Sequence, residues 1–207
     1  MEKQVSTQTS IWLTPEEYLL LQSTAEAKSE YLNGEIFPMS GVSREHNLIC
    51  LNIATDLQLQ LMDRACELYA IDVLTKILST GLYTYPDVVV VCEEPKFEHF
   101  RIDVLLNPNL IVEVLSDSTE SYDRGKKFAH YRTIDSLKEY VLVSQYECRV
   151  EQYVRQPDDK WLYTETTDPA GSIELPSITC RLSLSHIYQR IDFEAARARQ
   201  NSGSDAV

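Results

Sequence analysis

The segment Leu110-Ile111-Val112-Glu113-Val114-Leu115 indicates the fold class of this chain. Its apolar residues do not alternate with polar ones, which is typical of a strand that is buried on both faces. Val88 to Val91 and Glu139 to Val143 are two further runs of this kind. Helices must cover the two faces of such a sheet, so the pattern predicts an α/β fold with a central β-sheet flanked by helices.

The N-terminal part of the chain carries helix and turn signals. Thr14-Pro15-Glu16-Glu17 is a capping box with proline at the first helical position, and it predicts an N-terminal helix. Asn33-Gly34 lies between two strand-like runs and predicts a hairpin over residues 29–39. Ser43 can cap a long helix over residues 44–63, whose apolar positions recur at helical spacing.

The rest of the chain predicts a mixed sheet within a single domain. A helix over residues 122–131 leads from the first buried strand to the strand that begins at Glu139, which predicts a parallel pair joined by a right-handed crossover. The alternation from Val150 to Tyr163 predicts an antiparallel hairpin. We expect one domain over residues 11–193, a flexible N-terminus over residues 1–10 and a disordered tail over residues 194–207.

Composition limits the classes of function. The chain has 19 Lys and Arg residues against 32 Asp and Glu residues, which gives a net charge of −13 at pH 7. It lacks both the ~18 consecutive apolar residues of a membrane span and the apolar core of a signal peptide, so we expect a cytoplasmic protein without a membrane-spanning segment. Phosphate groups are bound by positive surfaces, so a nucleic-acid site in this acidic chain would be a local basic patch.

The cysteines are odd in number and scattered along the chain: Cys50, Cys66, Cys92, Cys148 and Cys180. No two of them form a CxxC pair, which argues against a disulfide framework and against a zinc ribbon. We therefore expect buried free thiols in a reducing compartment.

Two acidic residues lie against the predicted buried strands. Asp87 directly precedes the Val88 run, and Glu113 interrupts its own strand at the middle. A buried carboxylate costs several kcal/mol unless it is paired, hydrogen-bonded or bound to a metal. If the two strands are neighbours, both carboxylates could offer hard oxygen ligands to Mg²⁺. The alternative is that Glu113 pairs with a buried Lys or Arg and that Asp87 caps a turn.

The chain resembles the Uma-type family of the PD-(D/E)XK nuclease superfamily in five ordered motifs: Thr14–Tyr18, Glu30–Glu35, Tyr85–Val88, Leu110–Ser116, and Tyr122–Lys127 with Tyr131. The resemblance implies a restriction-endonuclease-like α/β fold. It also implies hydrolysis of a nucleic-acid phosphodiester, with DNA as the expected substrate, dependent on Mg²⁺ or alternatively Mn²⁺. Asp87 and Glu113 would hold the metal, which would neutralise phosphate charge and activate a water molecule.

The catalytic lysine of the superfamily is missing from its usual position. Leu115 lies two residues after Glu113, where that lysine is expected. In the family the matching lysine lies on the following helix, and the residue at that position of this chain is Lys127. On a regular helix, Asp123, Lys127 and Tyr131 would share one face. The alternative is a solvated helix in which Asp123 and Lys127 form an ordinary ion pair.

Three further residues match family motifs. Glu30 and Glu35 flank the predicted turn, and the superfamily often adds an acidic residue from an N-terminal element to its site; we rank Glu35 above Glu30. Each could equally be an exposed hairpin charge. His46 lies near the start of the long helix, where it could donate to a phosphate or simply form a hydrogen bond within a packed interface.

The densest positive cluster of the chain adjoins the predicted site and consists of Arg124, Lys126, Lys127 and Arg132. It could be the local phosphate-binding patch that an acidic protein needs. Ser116 and Thr119 could contact phosphate oxygens or merely cap the next helix.

The sequence thus predicts a metal-dependent endonuclease, and a homodimer would suit the two strands of a duplex. Two other interpretations remain open. One is a non-catalytic binding or regulatory module that keeps the fold, which the apolar Leu115 and the net charge of −13 favour. The other is hydrolysis of a different phosphoester at the same metal site.

Overall fold

Two six-stranded sheets form the framework of the chain, and a computed structural model describes residues 12–39, 41–70 and 72–204 of it. The flexible terminus predicted over residues 1–10 lies outside the described residues. The helical elements are α1 Pro15–Gln22, α2 Arg44–Leu61, α3 Glu120–Tyr122, a π-helical turn Asp123–Lys127, α4 Phe128–Tyr131, α5 Leu184–Ile187 and α6 Phe193–Ser204.

The strands were only partly predicted, because several of them are three or four residues long. They are β1 Ser29–Leu32, β2 Glu35–Pro38, β3 Glu67–Ala70, β4 Leu74–Ile77, β5 Leu82–Thr84, β6 Val88–Val91, β7 Phe97–His99, β8 Asp103–Leu105, β9 Leu110–Leu115, β10 Glu139–Ser144, β11 Val150–Arg155, β12 Trp161–Thr166, β13 Ser172–Leu175 and β14 Cys180–Ser183.

The central sheet has the strand order β12-β11-β10-β9-β6-β3. Its β9 and β10 are parallel, and every other neighbouring pair in this sheet is antiparallel. The predicted mixed sheet is therefore confirmed, as is the hairpin of β11 and β12. Helix α2 covers one face through Ile49, Ile53 and Leu57, which pack with the side chains of alternate strand positions such as Val88 and Val112.

The other face of the central sheet is covered by helical residues and by strands of a second sheet, whereas the sequence predicted helices alone. Tyr131 and Leu137 pack there together with Ile77 and Leu82, which belong to β4 and β5 of a second sheet. This second sheet has the order β2-β1-β5-β4-β8-β7. It includes the predicted hairpin, whose turn residues Asn33 and Gly34 both have positive φ angles, as such a two-residue turn requires.

A tyrosine cluster fixes the hairpin to the rest of the chain. The rings of Tyr18, Tyr31 and Tyr83 lie 4.9 to 5.7 Å apart, centroid to centroid, and all three are buried. Tyr18 comes from α1, whose capping box between Thr14 and Glu17 is present as predicted. Since Tyr31 pairs with Tyr83 across β1 and β5, the preceding residue Glu30 is held in the interior of the second sheet.

The helix predicted over residues 122–131 is not regular. The segment Asp123–Lys127 has π-helical hydrogen bonding, with short α-helical pieces on both sides. Asp123 and Lys127 are both buried on this turn. Single π turns inside helices occur frequently at functional sites, because they redirect side chains locally.

The expectation of five free thiols is wrong for one pair. Cys66 and Cys92 form a disulfide, whereas Cys50, Cys148 and Cys180 are free. Each of the paired cysteines adjoins one of the antiparallel strands β3 and β6, in which Glu67 lies opposite Val91. The pairing of these two strands brings the cysteines together, and this pairing cannot be read from cysteine spacing.

The C-terminal segment contains a helix. Helix α6, Phe193–Ser204, lies within the segment for which the sequence predicted a disordered tail, and residues 205–207 of that tail lie outside the described residues. Its Ala196 is buried, and its Arg199 forms an ion pair with Glu45 of α2. As for membranes, none of the helices in the described part of the chain is both long and apolar enough to cross one.

Candidate active site

Asp87 and Glu113 meet where β6 and β9 run side by side. Val88 lies opposite Val112 in this antiparallel pair, so continuing the register by one residue brings Asp87 opposite Glu113. Asp87 Oδ2 accepts a hydrogen bond from the Val114 backbone N–H at 2.7 Å. The structure thus brings together the two carboxylates that the sequence proposed as metal ligands.

Lys127 reaches the same place from the π-helical turn. Its Nζ lies 3.0 Å from Glu113 Oε1, 3.1 Å from Glu30 Oε1 and 3.5 Å from Asp123 Oδ1. The lysine side chain is 7% exposed, so the alternative of a solvated surface ion pair does not hold. The other alternative, a buried cation beside Glu113, is realised by this same lysine.

The two hairpin glutamates have different environments. Glu30 is buried, contacts Lys127, and accepts a hydrogen bond from the hydroxyl of Thr84 on β5. Glu35 lies on β2, all of whose residues are exposed. The structure therefore reverses the order in which the sequence ranked them, because β1 pairs with β5 inside the second sheet while β2 is the edge strand of that sheet.

His46 is the link between α2 and Asp87. Its Nε2 lies 3.2 Å from Asp87 Oδ2, and its backbone N–H donates to the Ser43 hydroxyl that caps α2. His46 is thus placed beside a carboxylate rather than at a free helix end. Its other ring nitrogen, Nδ1, faces the sulfur of Cys50 at 3.6 Å.

Two buried side chains hold the site in place and were not predicted as site residues. Tyr131 donates a hydrogen bond from its hydroxyl to Glu113 Oε1 at 2.7 Å. Gln145, immediately after β10, donates to the Leu115 carbonyl at 2.9 Å and accepts from the Ser43 hydroxyl. A polar residue directly after a buried strand is the one sequence signal that could have pointed to Gln145.

The site holds more carboxyl groups than cations. The carboxyl groups of Glu30, Glu113 and Asp123 contact the buried ammonium group of Lys127, and that of Asp87 lies opposite Glu113. The Asp123 Oδ1 atom is buried and accepts no hydrogen bond from any described residue. Such a donor set is rich in hard oxygen atoms and short of positive charge, which fits a divalent cation.

Burial and the neighbouring charges shift the pKa values of the site. Burial raises the pKa of Glu113 to about 8, although the Lys127 ammonium opposes this rise. Burial likewise raises the pKa of Asp123 above its usual range. For Lys127, burial alone would lower the pKa, but the carboxylates of Glu113, Glu30 and Asp123 outweigh it and keep the amine protonated. Lys127 is therefore a fixed cation at neutral pH.

The predicted basic patch is only partly available. The guanidinium group of Arg124 is held by Glu151, at 2.6 Å, and by Glu120. Lys127 is buried in the site, whereas Lys126 and Arg132 are exposed. The hydroxyl groups of Ser116 and Thr119 lie 3.0 Å apart, and Thr119 makes no side-chain capping bond to α3.

Comparisons with known proteins identify the family and the fold of the chain. Residues 15–185 match the family Uma2, which is described as "Putative restriction endonuclease". Two uncharacterized proteins of Synechocystis are similar to this chain. One is 42% identical over 78% of this chain and 92% of its own length. The other is 35% identical over 87% of this chain and 94% of its own length. A crystal structure from Anabaena variabilis, described as "a putative nuclease belonging to DUF820", has a similar fold, with a TM-score of 0.69 and 20% identity over 85% of this chain and 97% of its own.

Proposed function

This chain belongs to the Uma2 family of restriction-endonuclease relatives, and from that membership and the site geometry we propose that it is a Mg²⁺-dependent endonuclease acting on DNA. The observation that carries the proposal is the convergence of Asp87, Glu113 and Glu30 with a buried, protonated Lys127. An ordinary structural ion pair needs one carboxylate for one lysine. The surplus of carboxyl groups here supports a site built for a further cation and a phosphate.

Asp87 and Glu113 are the proposed metal ligands. The fit is supported by their hard oxygen donors and by the buried Asp123 Oδ1 atom without a hydrogen bond. A bound Mg²⁺ would lower the pKa of an attacking water molecule and neutralise charge on the scissile phosphate. Mn²⁺ prefers the same oxygen ligands and is expected to substitute for it.

Lys127 is proposed as the electrostatic catalyst. Its pKa lies well above neutrality, so its ammonium group cannot take a proton from water. Instead it donates hydrogen bonds, and its proposed target is a non-bridging phosphate oxygen that gains negative charge in the transition state. Glu30 positions the Lys127 ammonium group through their contact at 3.1 Å. Tyr131 positions Glu113 through its hydrogen bond at 2.7 Å.

The substrate and setting follow from the same proposal. We propose duplex DNA as the substrate, a homodimer that presents one site to each strand, and a cytoplasmic location. The exposed Lys126 and Arg132 are the proposed contacts to the DNA backbone, since Arg124 is already engaged by two glutamates.

The first test is cleavage of supercoiled plasmid by the wild-type protein. With Mg²⁺ or Mn²⁺ we expect conversion to nicked and linear forms, and with EDTA we expect none. Failure to cleave DNA, in a protein that binds these metals measurably, would overturn the nuclease proposal. It would favour a binding module or a different phosphoester substrate.

The two hairpin glutamates provide a matched pair of variants. Glu30→Gln is expected to lower plasmid cleavage at least about tenfold, because Glu30 positions the Lys127 ammonium. Glu35→Gln should stay within about twofold of wild type, because Glu35 is exposed on the edge strand. Initial rates at saturating Mg²⁺ measure both effects. Equal losses in the two variants would contradict the placement of Glu30 in the site.

A further inference from the structure

A second set of potential ligands begins at Asp87 and involves α2. His46 and Cys50 are one helical turn apart on the buried face of α2, and a ring nitrogen of His46, the sulfur of Cys50 and a carboxylate oxygen of Asp87 all lie within 4.8 Å of one another. Spacing of four residues places two side chains on the same helix face, where both can approach one ion.

The chemistry of this set differs from that of the oxygen-rich site beside it. Mg²⁺ prefers oxygen ligands and does not use thiolates. A thiolate, an imidazole and a carboxylate together suit Zn²⁺, which binds them tetrahedrally. Ligand distances of about 2.3 Å for sulfur and about 2.0 Å for nitrogen put these two atoms roughly 3.6 Å apart in a tetrahedral site. The separation of Cys50 Sγ from His46 Nδ1 is 3.6 Å.

The set reaches the surface through Asp87. The Asp87 side chain is 20% exposed and that of His46 10%, whereas Cys50 is buried. In the structure the ring of His46 contacts Cys50 with one nitrogen and Asp87 with the other. One of these contacts must open when one nitrogen becomes a metal ligand.

We propose that His46, Cys50 and Asp87 form a binding site for Zn²⁺ or a similar transition-metal ion, with water as the fourth ligand. Binding releases the thiol proton of Cys50 to solvent. Because Asp87 is shared, an ion held here removes one ligand of the proposed catalytic metal, so zinc inhibits the Mg²⁺-dependent reaction. The inhibitory part rests on the proposed function, whereas the binding part does not.

Co²⁺ is the probe for the binding part, because it replaces Zn²⁺ and absorbs light when bound to sulfur. We expect Co²⁺ to produce a sulfur-to-cobalt charge-transfer band and the intense visible bands of tetrahedral coordination, in a one-to-one complex that Zn²⁺ displaces. Cys50→Ser should lose the charge-transfer band. Cys148→Ser and Cys180→Ser, which remove the other two free thiols, should keep it.

A double variant guards against failure of Cys50→Ser to fold. With Cys148 and Cys180 both replaced by serine, Cys50 is the remaining free thiol beside the Cys66–Cys92 disulfide, and the band must persist. Absence of a sulfur band in the wild type, or its loss in the double variant, would overturn the site. So would a band that survives in folded Cys50→Ser.

Plasmid cleavage tests the inhibitory part. Zn²⁺ added to the Mg²⁺ reaction should inhibit the wild type, and Cys50→Ser should need at least about ten times more Zn²⁺ for the same inhibition. Equal inhibition of both proteins would refute the shared-ligand mechanism. If neither protein cleaves DNA with Mg²⁺ alone, the nuclease proposal fails while the cobalt spectra still decide the zinc site.

Discussion

Replacing Lys127 by methionine is expected to lower plasmid cleavage by about 100- to 1,000-fold, the loss typical of removing one donor that stabilises transition-state charge. Methionine keeps much of the side-chain length and apolar volume but carries no ammonium group. Lys160→Met changes an exposed lysine on the turn between β11 and β12, to which no role in the site is assigned, and should leave cleavage within about twofold of wild type. Initial rates at saturating Mg²⁺ compare the three proteins.

The Lys127 variant needs a folding control, because its ammonium group also balances buried carboxylates. Removing one partner of a buried ion pair costs about 3–5 kcal/mol. Thermal unfolding should therefore show whether the variant is folded at the assay temperature, and Mg²⁺ should partly restore its stability. A folded Lys127→Met protein that cleaves at the wild-type rate would make the lysine structural and remove its catalytic role.

The metal-free protein is expected to lose stability as the pH rises from about 4.5 to beyond 8. The folded protein holds the Glu113 proton more tightly than the unfolded chain, since burial raises its pKa to about 8. A raised carboxyl pKa contributes stability that is fully present below the unfolded pKa and is lost as the pH rises through the folded pKa. The change amounts to a few kcal/mol, with Lys127 protonated throughout this range.

Glu113→Gln isolates this contribution. In EDTA the variant should be more stable than wild type at pH 8, and the difference between the two proteins should vanish towards pH 5. Glu139, whose pKa is also raised by burial, is bonded to Ser177 and Gln152 outside the site, so it titrates in both proteins and cancels in the difference. Chemical denaturation at several pH values provides the measurement.

Two further comparisons make the pH prediction decisive. Glu35→Gln removes an exposed carboxylate and should keep the pH dependence of the wild type. Mn²⁺ at 100 times its dissociation constant should stabilise the wild type by about 2.7 kcal/mol and Glu113→Gln far less, because a ligand is missing. A Glu113→Gln protein with the pH slope of the wild type would place the titrating proton on another group.

Residues of the candidate site could be predicted where a charged residue interrupts or directly precedes an apolar strand. A charge inside an apolar strand needs compensation, so Glu113 was identifiable without knowledge of its partner. Asp87 was identifiable as an acidic residue directly before an apolar run, and the resemblance to the family added Lys127. It could not place the π-helical turn, since a regular helix satisfies the same spacing, nor identify Tyr131 and Gln145 as the side chains that hold the site.

The remaining differences arise where pairing between distant segments decides the outcome. Glu30 and Glu35 look equivalent in sequence, but β1 lies between β2 and β5 in the second sheet whereas β2 is its edge strand, so only Glu30 is buried beside Lys127. Cys66 and Cys92 look like unrelated thiols until β3 lies against β6. The short strands of the second sheet carry too few residues for a periodic pattern.

The sequence by itself determined the central strands, the caps of α1 and α2, the turn at Asn33-Gly34 and the acidic residues that interrupt apolar runs. These features depend on local hydrophobic periodicity and on backbone preferences of single residues. The tertiary structure alone decided which carboxylates surround Lys127, which cysteines meet, and that His46 and Cys50 share Asp87. The physical reason is that burial and charge pairing depend on distances across the folded chain, and sequence separation does not contain those distances.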